Sequence, residues 1–375
     1  MRRITIVGAG FGGLNAVRAI RKADRKVGID LVAPRPVFVF YPGTIWIPTG
    51  RHSPDHHEVP LDRFFKRFRV DYHQASAEGL SANGRRLQTT AGPIDNDGLI
   101  IATAGRLIDS PKGLENAFIP CRGIAEMTRL RERLHGMTCG TIAFGFTGNP
   151  DEASAVRGGP VFELMFGTET WLRHSGRRND FKLVFFSSSR QPGRRLGDKA
   201  AARLLAEMQK RGIETHLGVS ATRIKPDRIV ADDREFRSDL TVFMPGLAGA
   251  RWFDKTTLRR SPGGLLAADE YCRAGGSERV YVVGDAGSHA GPDWLPKRGH
   301  TAESQASAAA RNLLYELAGR APSKPFRPEL VYIIDMQDKA MLIVRSDKLA
   351  IASPPLLPLH WLKRAFEWHY KRRFH

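Results

Sequence analysis

The sequence predicts an α/β protein with two domains and a C-terminal appendage, and three observations lead to this prediction. A short apolar strand, residues 4–7, runs directly into the glycine-rich segment 8–13, and an apolar helix pattern follows at once. A second apolar strand, residues 279–283, ends in Gly-Asp and precedes a helix of small residues at about 301–317. A third strand, residues 141–146, opens a separate α/β unit. Strand, tight turn and helix in this order form a Rossmann-like unit.

The segment after the first strand has the spacing G-x-G-x-x-G, formed by Gly8, Gly10 and Gly13, with Phe11 and Gly12 inside it. Glycines at these positions permit a tight turn and let backbone N–H groups approach a pyrophosphate at the helix N-terminus. The whole segment, including Phe11 and Gly12, therefore indicates a dinucleotide site. By itself the spacing does not separate FAD from NAD or NADP. An ordinary glycine-rich turn without a ligand is the alternative.

Two further pieces of sequence narrow the choice of ligand. The strand that ends in Gly284 and Asp285 places a carboxylate where it can accept a hydrogen bond from a ribityl or ribose hydroxyl. Another apolar segment ends in Thr103, Ala104 and Gly105. In this order the pieces resemble the FAD domain of the pyridine nucleotide-disulfide oxidoreductase superfamily, which implies FAD as the cofactor. The resemblance implies an FAD domain of residues 1–110 and 246–320, a second Rossmann-like domain of residues 111–245 and a C-terminal region of residues 321–375.

Two positions depart from the usual dinucleotide pattern. The second strand ends at Ala33, where a Rossmann unit often has an acid for the adenosine ribose. Arg35 follows instead, and an arginine there favours a 2′-phosphate. In the second domain, segment 145–152 lacks the glycine pattern and places Asp151 and Glu152 where a pyrophosphate would bind. Carboxylates there would repel an anionic ligand, so we do not expect NAD(P)H in this domain.

The charge balance limits the kinds of partner. The 375 residues include 58 Lys and Arg against 39 Asp and Glu, a formal net charge of +19, which implies an acidic partner. The sequence lacks zinc-finger, RNA-recognition and basic-aromatic repeat motifs, so we expect no nucleic acid and favour an anionic membrane surface. Three widely spaced cysteines argue against a disulfide framework and for a reducing compartment.

The sequence predicts neither a transmembrane helix nor a metal site. No stretch approaches about 18 consecutive apolar residues, the length that a membrane-spanning helix needs. His52, His56 and His57 share one loop, but no cysteine is near them, and Asp55 and Glu58 are the only acidic neighbours in sequence. This combination does not match the usual spacing of metal ligands.

The segment 360–374 predicts an amphipathic helix. Apolar and aromatic residues recur at helical spacing and basic residues surround them: Trp361, Leu362, Ala365, Phe366, His369 and Tyr370 on one side, and Lys363, Arg364, Lys371, Arg372 and Arg373 on the other. An aromatic face beside a cationic face suits a helix in the interface of an anionic membrane. The alternative is a terminal helix packed on the body or used in dimerisation, and the sequence does not indicate an oligomeric state.

Four segments sharpen the resemblance: the aromatic stretch ending in Trp46 and Gly50, the segments 159–163 and 296–304, and the basic-aromatic tail. Together they are similar to the sulfide:quinone oxidoreductase family, of which flavocytochrome c sulfide dehydrogenase is a relative. The resemblance implies a cytoplasmic protein bound peripherally to the inner face of the membrane, passing electrons from a small donor through FAD to a quinone. It also implies that Lys297 stabilises negative charge on the reduced flavin and that Glu163 carries protons near the donor.

Two positions depart from the sulfur chemistry of that family. Its redox cysteine pair aligns here with Arg157 and Tyr332, and neither can form a persulfide, because that chemistry needs a thiolate. Arg157 instead favours an anionic or carbonyl substrate, or a hydride donor with phosphates. Cys121 matches a family cysteine near, or bonded to, the flavin edge, so a flavin thioether is one hypothesis. A partly buried structural thiol is the alternative.

We therefore predict an FAD-dependent oxidoreductase of the sulfide:quinone oxidoreductase type that does not use the cysteine-persulfide mechanism. One alternative is a type II NADH:quinone oxidoreductase-like enzyme, which needs a nicotinamide site that the second domain does not display. Another is a flavoprotein whose basic surface binds an acidic electron-transfer partner.

Overall fold

The first sheet of the protein is built from chain segments that lie on both sides of the second domain in sequence. The computed structural model describes residues 2–232 and 234–374. This sheet is parallel throughout, with the spatial order Val280–Val282, Gly98–Ile101, Arg3–Val7, Gly28–Ala33 and Asp71–Gln74. Ile4 and Ile6 on its central strand are fully buried, as expected for a parallel strand with covered faces.

The second sheet is also parallel and has five strands, in the order Ala117–Phe118, Leu240–Met244, Gly140–Phe146, Phe181–Ser187 and Glu214–Leu217. A nearly continuous apolar run forms the strand Phe181–Ser187, and six of its seven residues are buried. This pattern fits a strand covered on both faces. The two parallel sheets confirm the predicted α/β fold with two Rossmann-like units.

The described residues form seven α-helices: α1 Phe11–Ala23, α2 Asp62–Phe68, α3 Ile124–Gly136, α4 Gly159–His174, α5 Asp198–Lys210, α6 Gly299–Leu317 and α7 Leu357–Lys371. In α1 the apolar residues Leu14, Val17 and Ile20 recur at helical spacing and are fully buried. Helix α6 packs against α1, and its small buried residues, such as Ala306 and Ala309, allow the two helices to approach closely.

Short strands form the connecting sheets. The antiparallel ones are Val37–Val39 with Glu58–Pro60; Ala77–Ser81, Arg86–Thr89 and Ile94–Asp95; Arg106–Leu107 with Leu247–Ala248; Ala221–Ile224, Arg228–Ala231 and Arg234–Arg237; and Leu330–Asp335, Ala340–Arg345 and Ala350–Ala352. A parallel pair joins Leu266–Ala268 to Gly287–His289. The pairing of Arg106–Leu107 with Leu247–Ala248 brings together the two places where the chain crosses between the large sheets.

Helix α7 confirms the predicted helix, but its faces differ from the prediction. The large apolar side chains Leu357, Trp361, Leu362, Phe366 and Trp368 are 50–60% exposed. The buried side carries His360, Lys363, Glu367, Tyr370 and Lys371. Lys363 and Lys371 turn inward because the buried carboxylates of Glu163 and Glu367 accept their hydrogen bonds. Among residues 2–232 and 234–374, no helix is long and apolar enough to cross a membrane.

We expect Gly13→Ala to destabilise the protein strongly, because its Cβ would overlap the backbone oxygen of Gly8. The free energy of unfolding should fall by about 3 kcal/mol, measured by urea denaturation of the flavin-free protein. Gly10→Ala is the matched control: its Cβ would have no neighbour within 4 Å in the described structure, and we expect a loss below about 1 kcal/mol. Equal losses in the two variants would contradict this packing argument.

Candidate functional site

The glycine-rich turn leaves an open backbone edge at the N-terminus of α1. Gly8 has φ +111°, and a Cβ there would lie 2.5 Å from the oxygen of Ala102, so only glycine fits. By contrast, a Cβ at Gly10 would meet nothing within 4 Å in the part of the chain that is described. Helix α1 begins at Phe11, so its first-turn N–H groups, including those of Gly12 and Gly13, need acceptors outside the helix. This edge suits a pyrophosphate.

The carboxyl ends of the neighbouring strands bring Thr103, Gly105 and Asp285 beside this turn. The Thr103 nitrogen would lie 3.2 Å from a Cβ at Gly8. A Cβ at Gly105 would lie 3.7 Å from the backbone oxygen of Asp285. The Thr103 hydroxyl oxygen is buried and has no hydrogen-bond partner within residues 2–232 and 234–374. Gly284 is fixed by a 2.8 Å hydrogen bond from its N–H to Gln305 Oε1.

Arg157 connects two of the predicted site residues. Its guanidinium forms an ion pair with the carboxylate of Asp285. Its other terminal nitrogen, Nη1, donates a hydrogen bond of 3.2 Å to Cys121 Sγ. Both charged side chains are largely shielded from solvent, with 23% and 20% of their surface exposed. The structure therefore places Arg157, which the resemblance aligns with the first family cysteine, between the Asp285 carboxylate and the Cys121 thiol.

Lys297 lies in a cavity of about 120 Å³ next to the start of α6. Its ammonium donates to the backbone oxygen of Gly287, and burial lowers the pKa of Lys297 to about 7, with Glu152 acting in the opposite direction. Polar side chains dominate the lining of this cavity: Glu152, Arg195, Lys297, Arg298, Thr301 and Gln305. The sequence prediction missed Glu152, Arg195 and Arg298 as site residues. Arg298 lies beside Lys297 in the segment used for the resemblance, whereas no local pattern places Glu152 here.

These residues fit FAD. The open turn at Gly10 can accept the pyrophosphate, and Asp285 can accept a hydrogen bond from a ribityl hydroxyl. In the cavity, Thr301 Oγ1 and Arg298 Nε are buried and have no hydrogen-bond partner in the described residues. Buried polar atoms are normally satisfied, so these two atoms indicate that a polar group binds there.

Glu163, which is buried, and Tyr332, which is partly buried, belong to a second network. The Tyr332 hydroxyl donates a 2.8 Å hydrogen bond to Glu163 Oε2, and the Asp335 N–H donates a 2.9 Å bond to Glu163 Oε1. Lys363 from α7 also donates to Glu163 Oε1. Burial raises the pKa of Glu163, while the ammonium of Lys363 opposes that rise. On the other side of Asp335, His360 Nδ1 lies 2.8 Å from Asp335 Oδ1.

Arg298 connects this network to the cavity. Its guanidinium lies 3.6 Å from the centre of the Tyr332 ring, and a Cβ at Gly159 would lie 2.6 Å from both Arg298 Nη2 and the Tyr332 oxygen. Glycine at the start of α4 therefore allows these two side chains to meet. The cavity around Lys297 and the network around Glu163 form one continuous polar region.

Two predicted cofactor residues, Arg35 and Ala104, have no contact with the glycine turn or the polar region among the contacts described above. Arg35 is 63% exposed, and its nearest charged partner is Glu58 at 3.5 Å. Ala104 is also exposed. Their roles as cofactor-binding residues stay predictions.

The loop after the strand Gly140–Phe146 packs on the rest of the protein. Asn149 Nδ2 donates hydrogen bonds of 2.8 Å to the oxygen of Leu247 and 3.3 Å to the oxygen of Gly263. A Cβ at Gly246 would come within 2.5 Å of Asn149 N. In the second domain, the position equivalent to the glycine turn is therefore a packed interdomain loop.

Comparisons with known proteins agree with this architecture. The model of the family described as pyridine nucleotide-disulphide oxidoreductase matches residues 2–309. The sulfide-quinone reductase of Aquifex aeolicus is 22% identical over 399 residues, covering 98% of this chain and 90% of that protein. A type II NADH:quinone oxidoreductase of Mycobacterium tuberculosis is 24% identical over 372 residues, covering 87% and 75%. The solved structure of the Aquifex aeolicus sulfide:quinone oxidoreductase has a TM-score of 0.91 at 21% identity, covering 100% of this chain and 91% of that chain.

We expect Lys297→Met to stabilise the flavin-free protein at pH 7. Because burial lowers the pKa of Lys297 from 10.5 to about 7, the unfolded chain binds a proton between these values that the folded chain has lost. Stability therefore rises with pH over this window, and the advantage of the methionine variant should shrink as the pH approaches 10. Thermal unfolding from pH 7 to 10 measures the difference. The exposed control Lys199→Met should show no such trend, and a constant advantage for Lys297→Met would contradict the prediction.

Proposed function

Because the chain belongs to the pyridine nucleotide-disulphide oxidoreductase family, we propose that it passes electrons from a small anionic donor to a quinone without a cysteine-persulfide step. Family membership confirms the FAD cofactor and the prediction of an oxidoreductase. The similarity to sulfide-quinone reductase over 98% of the chain confirms the predicted resemblance. The donor, the acceptor and the roles of individual residues belong to the proposal.

The placement of Arg157 carries this proposal. Its guanidinium lies between the Asp285 carboxylate and the Cys121 thiol, at the position where the resemblance places a redox cysteine. FAD, when bound, supplies the reversible acceptance of two electrons. Arg157 binds and orients an anionic donor, because guanidinium forms charge-assisted hydrogen bonds with oxyanions and other anions. Persulfide formation is excluded for this side chain, since that chemistry needs a thiolate sulfur.

Lys297 and Glu163 hold protons at the two ends of the polar region. A lysine with a pKa of about 7 exchanges its proton readily at neutral pH, and it can stabilise negative charge next to the cavity when protonated. Glu163 shares a hydrogen bond with Lys363, so a proton can move between carboxyl and amine. Reduction of a quinone to a quinol consumes two protons. Lys363 lies on α7, so the network that would supply these protons extends to that helix.

We further propose that the exposed face of α7 binds the inner, cytoplasmic surface of the membrane. Trp361 and Trp368 are 56% and 60% exposed, and Ile351 on the adjoining sheet is 50% exposed. Tryptophans at this exposure suit the headgroup region of a bilayer. The net charge of +19 adds attraction to anionic lipid. A quinone dissolved in the bilayer would meet the protein at this face.

The relative from Mycobacterium tuberculosis favours a second candidate, a type II NADH:quinone oxidoreductase activity. The packed loop around Asn149 argues against a nicotinamide site of the usual kind in the second domain. Anaerobic reduction of the flavin by sulfide, sulfite, thiols and NAD(P)H separates the two candidates. We expect an anionic sulfur or oxyanion donor to bleach the flavin spectrum and a soluble quinone to restore it. Bleaching by NADH alone would overturn the main proposal in favour of the second candidate.

We expect Arg157→Met to lower kcat/KM for the anionic donor by about 100-fold, because it removes the cation that binds the donor. Stopped-flow absorbance of the flavin measures this step. Reoxidation of the reduced flavin by quinone should stay within about 3-fold of the parent rate. The control Arg223→Met changes an exposed arginine of the second domain. An unchanged rate with the anionic donor would show that Arg157 has no role in donor binding.

We expect the full chain to sediment with anionic liposomes at low salt and to be released at 1 M salt, because surface charges are screened over about 3 Å there. The double variant Trp361→Ser with Trp368→Ser should reduce the bound fraction at least ~5-fold, since both side chains bury apolar area in the interface. Vesicles of neutral phosphatidylcholine are the control for charge. Equal binding of parent and double variant would exclude α7 as the membrane contact.

A further inference from the structure

A separate cluster of ionisable side chains lies where a short 3-10 helix, Pro54–His57, meets α7. The cluster contains His52, His56 and His57 from one loop and Glu367 from α7. One ligand atom each from His52, His56 and Glu367 lie within 4.8 Å of one another. The sequence pattern did not predict a metal site here, and Glu367 is remote from the histidines along the chain. Folding supplies the missing acidic residue.

The distances within the cluster match those between ligands of one small ion. His56 Nε2 and His57 Nδ1 each lie 3.3 Å from Glu367 Oε1. Two ligands bound tetrahedrally at about 2.0–2.1 Å from zinc lie about 3.3 Å apart. The His52 ring centre lies 4.3 Å from that of His56 and 5.3 Å from that of His57. The ligand atoms of His52, His56 and Glu367 therefore lie near one another, and His57 Nδ1 approaches the same carboxylate.

Two of the imidazoles have buried nitrogen atoms without hydrogen-bond partners. His57 is 0% exposed, and neither of its ring nitrogens has a hydrogen bond to any residue that the structure describes; its approach to Glu367 lacks hydrogen-bond geometry. His52 Nδ1 is also buried and has no hydrogen-bond partner among residues 2–232 and 234–374. Since buried nitrogen atoms are normally satisfied, these atoms indicate a ligand that the protein itself does not supply.

Two cations face the cluster. Lys371 Nζ donates a 3.0 Å hydrogen bond to Glu367 Oε1 and a 2.7 Å bond to the backbone oxygen of His56. The positive charge of Arg364 also acts on His52 and would repel a cation bound there. Lys371 therefore competes with a bound ion for the carboxylate. His56 is 46% exposed and gives an ion a path from solvent.

We propose that His52, His56, His57 and Glu367 bind one divalent transition-metal ion of the zinc type. Imidazole nitrogens with one carboxylate form a donor set that suits Zn²⁺. The ion joins the loop that follows the 3-10 helix Tyr41–Trp46 to α7 and so holds α7 on the body of the protein. This role is structural and is independent of the reaction proposed above.

Titration of the untagged, flavin-loaded full chain with ZnSO₄ after EDTA treatment and dialysis tests the proposal. Isothermal titration calorimetry should show one ion per chain, and the melting temperature should rise with the free zinc concentration. X-ray absorption at the zinc edge should show nitrogen and oxygen ligands without sulfur. Absence of a stoichiometric site at 100 μM zinc would overturn the proposal, a threshold that corresponds to a binding free energy of about −5.5 kcal/mol.

Three variants locate the site. His56→Ala removes a half-exposed ligand and should weaken zinc binding at least ~10-fold, while an unchanged flavin spectrum shows that the fold is retained. His369→Ala is the matched control. His369 is an exposed histidine on α7, the helix that carries Glu367, and this variant should bind zinc as the parent does. Lys371→Met removes the competing ammonium and should bind zinc more tightly than the parent. Equal affinities for His56→Ala and His369→Ala would overturn the assignment.

Discussion

The position of the C-terminal segment, residues 330–374, depends on one buried carboxylate, that of Glu163 on α4. Its oxygens accept hydrogen bonds from Tyr332, from the Asp335 N–H and from Lys363, which belong to the strand Leu330–Asp335 and to α7. A buried charge costs several kcal/mol unless such donors surround it, and removal of one partner of a buried pair typically costs about 3–5 kcal/mol. Glu163 therefore fixes the strand and the helix together.

The orientation of α7 follows from this constraint. Because Lys363 turns inward to reach Glu163, the opposite side of the helix, with Trp361 and Trp368, turns outward. The same rotation brings Glu367 onto the histidine loop. A surface for lipid, a link to the polar region and a cluster of metal-type ligands thus result from one helix orientation.

Local patterns predicted the parts of the site that local geometry determines. The turn at Gly8 needs a positive φ and a close backbone approach, and both leave a mark in sequence. The meeting of Glu152 with Lys297, and of Glu367 with His57, depends on packing between remote segments. Helical periodicity identified the aromatic residues of α7. It could not show that a carboxylate holds Lys371 inside, because the spacing of apolar residues does not indicate where a charged side chain is buried in an ion pair.

The end of the chain completes the core of the first domain. The Tyr370 hydroxyl accepts a 3.0 Å hydrogen bond from Asn15 on α1, and the buried ring of Phe374 lies 4.8 Å from that of Phe38 and 5.8 Å from that of Phe64. This domain also takes the strand Val280–Val282 from late in the chain. The contiguous second unit can therefore fold before the nucleotide-binding unit, whose core needs a late strand and the rings of Tyr370 and Phe374. We expect the cofactor to bind stably only when these late segments have packed.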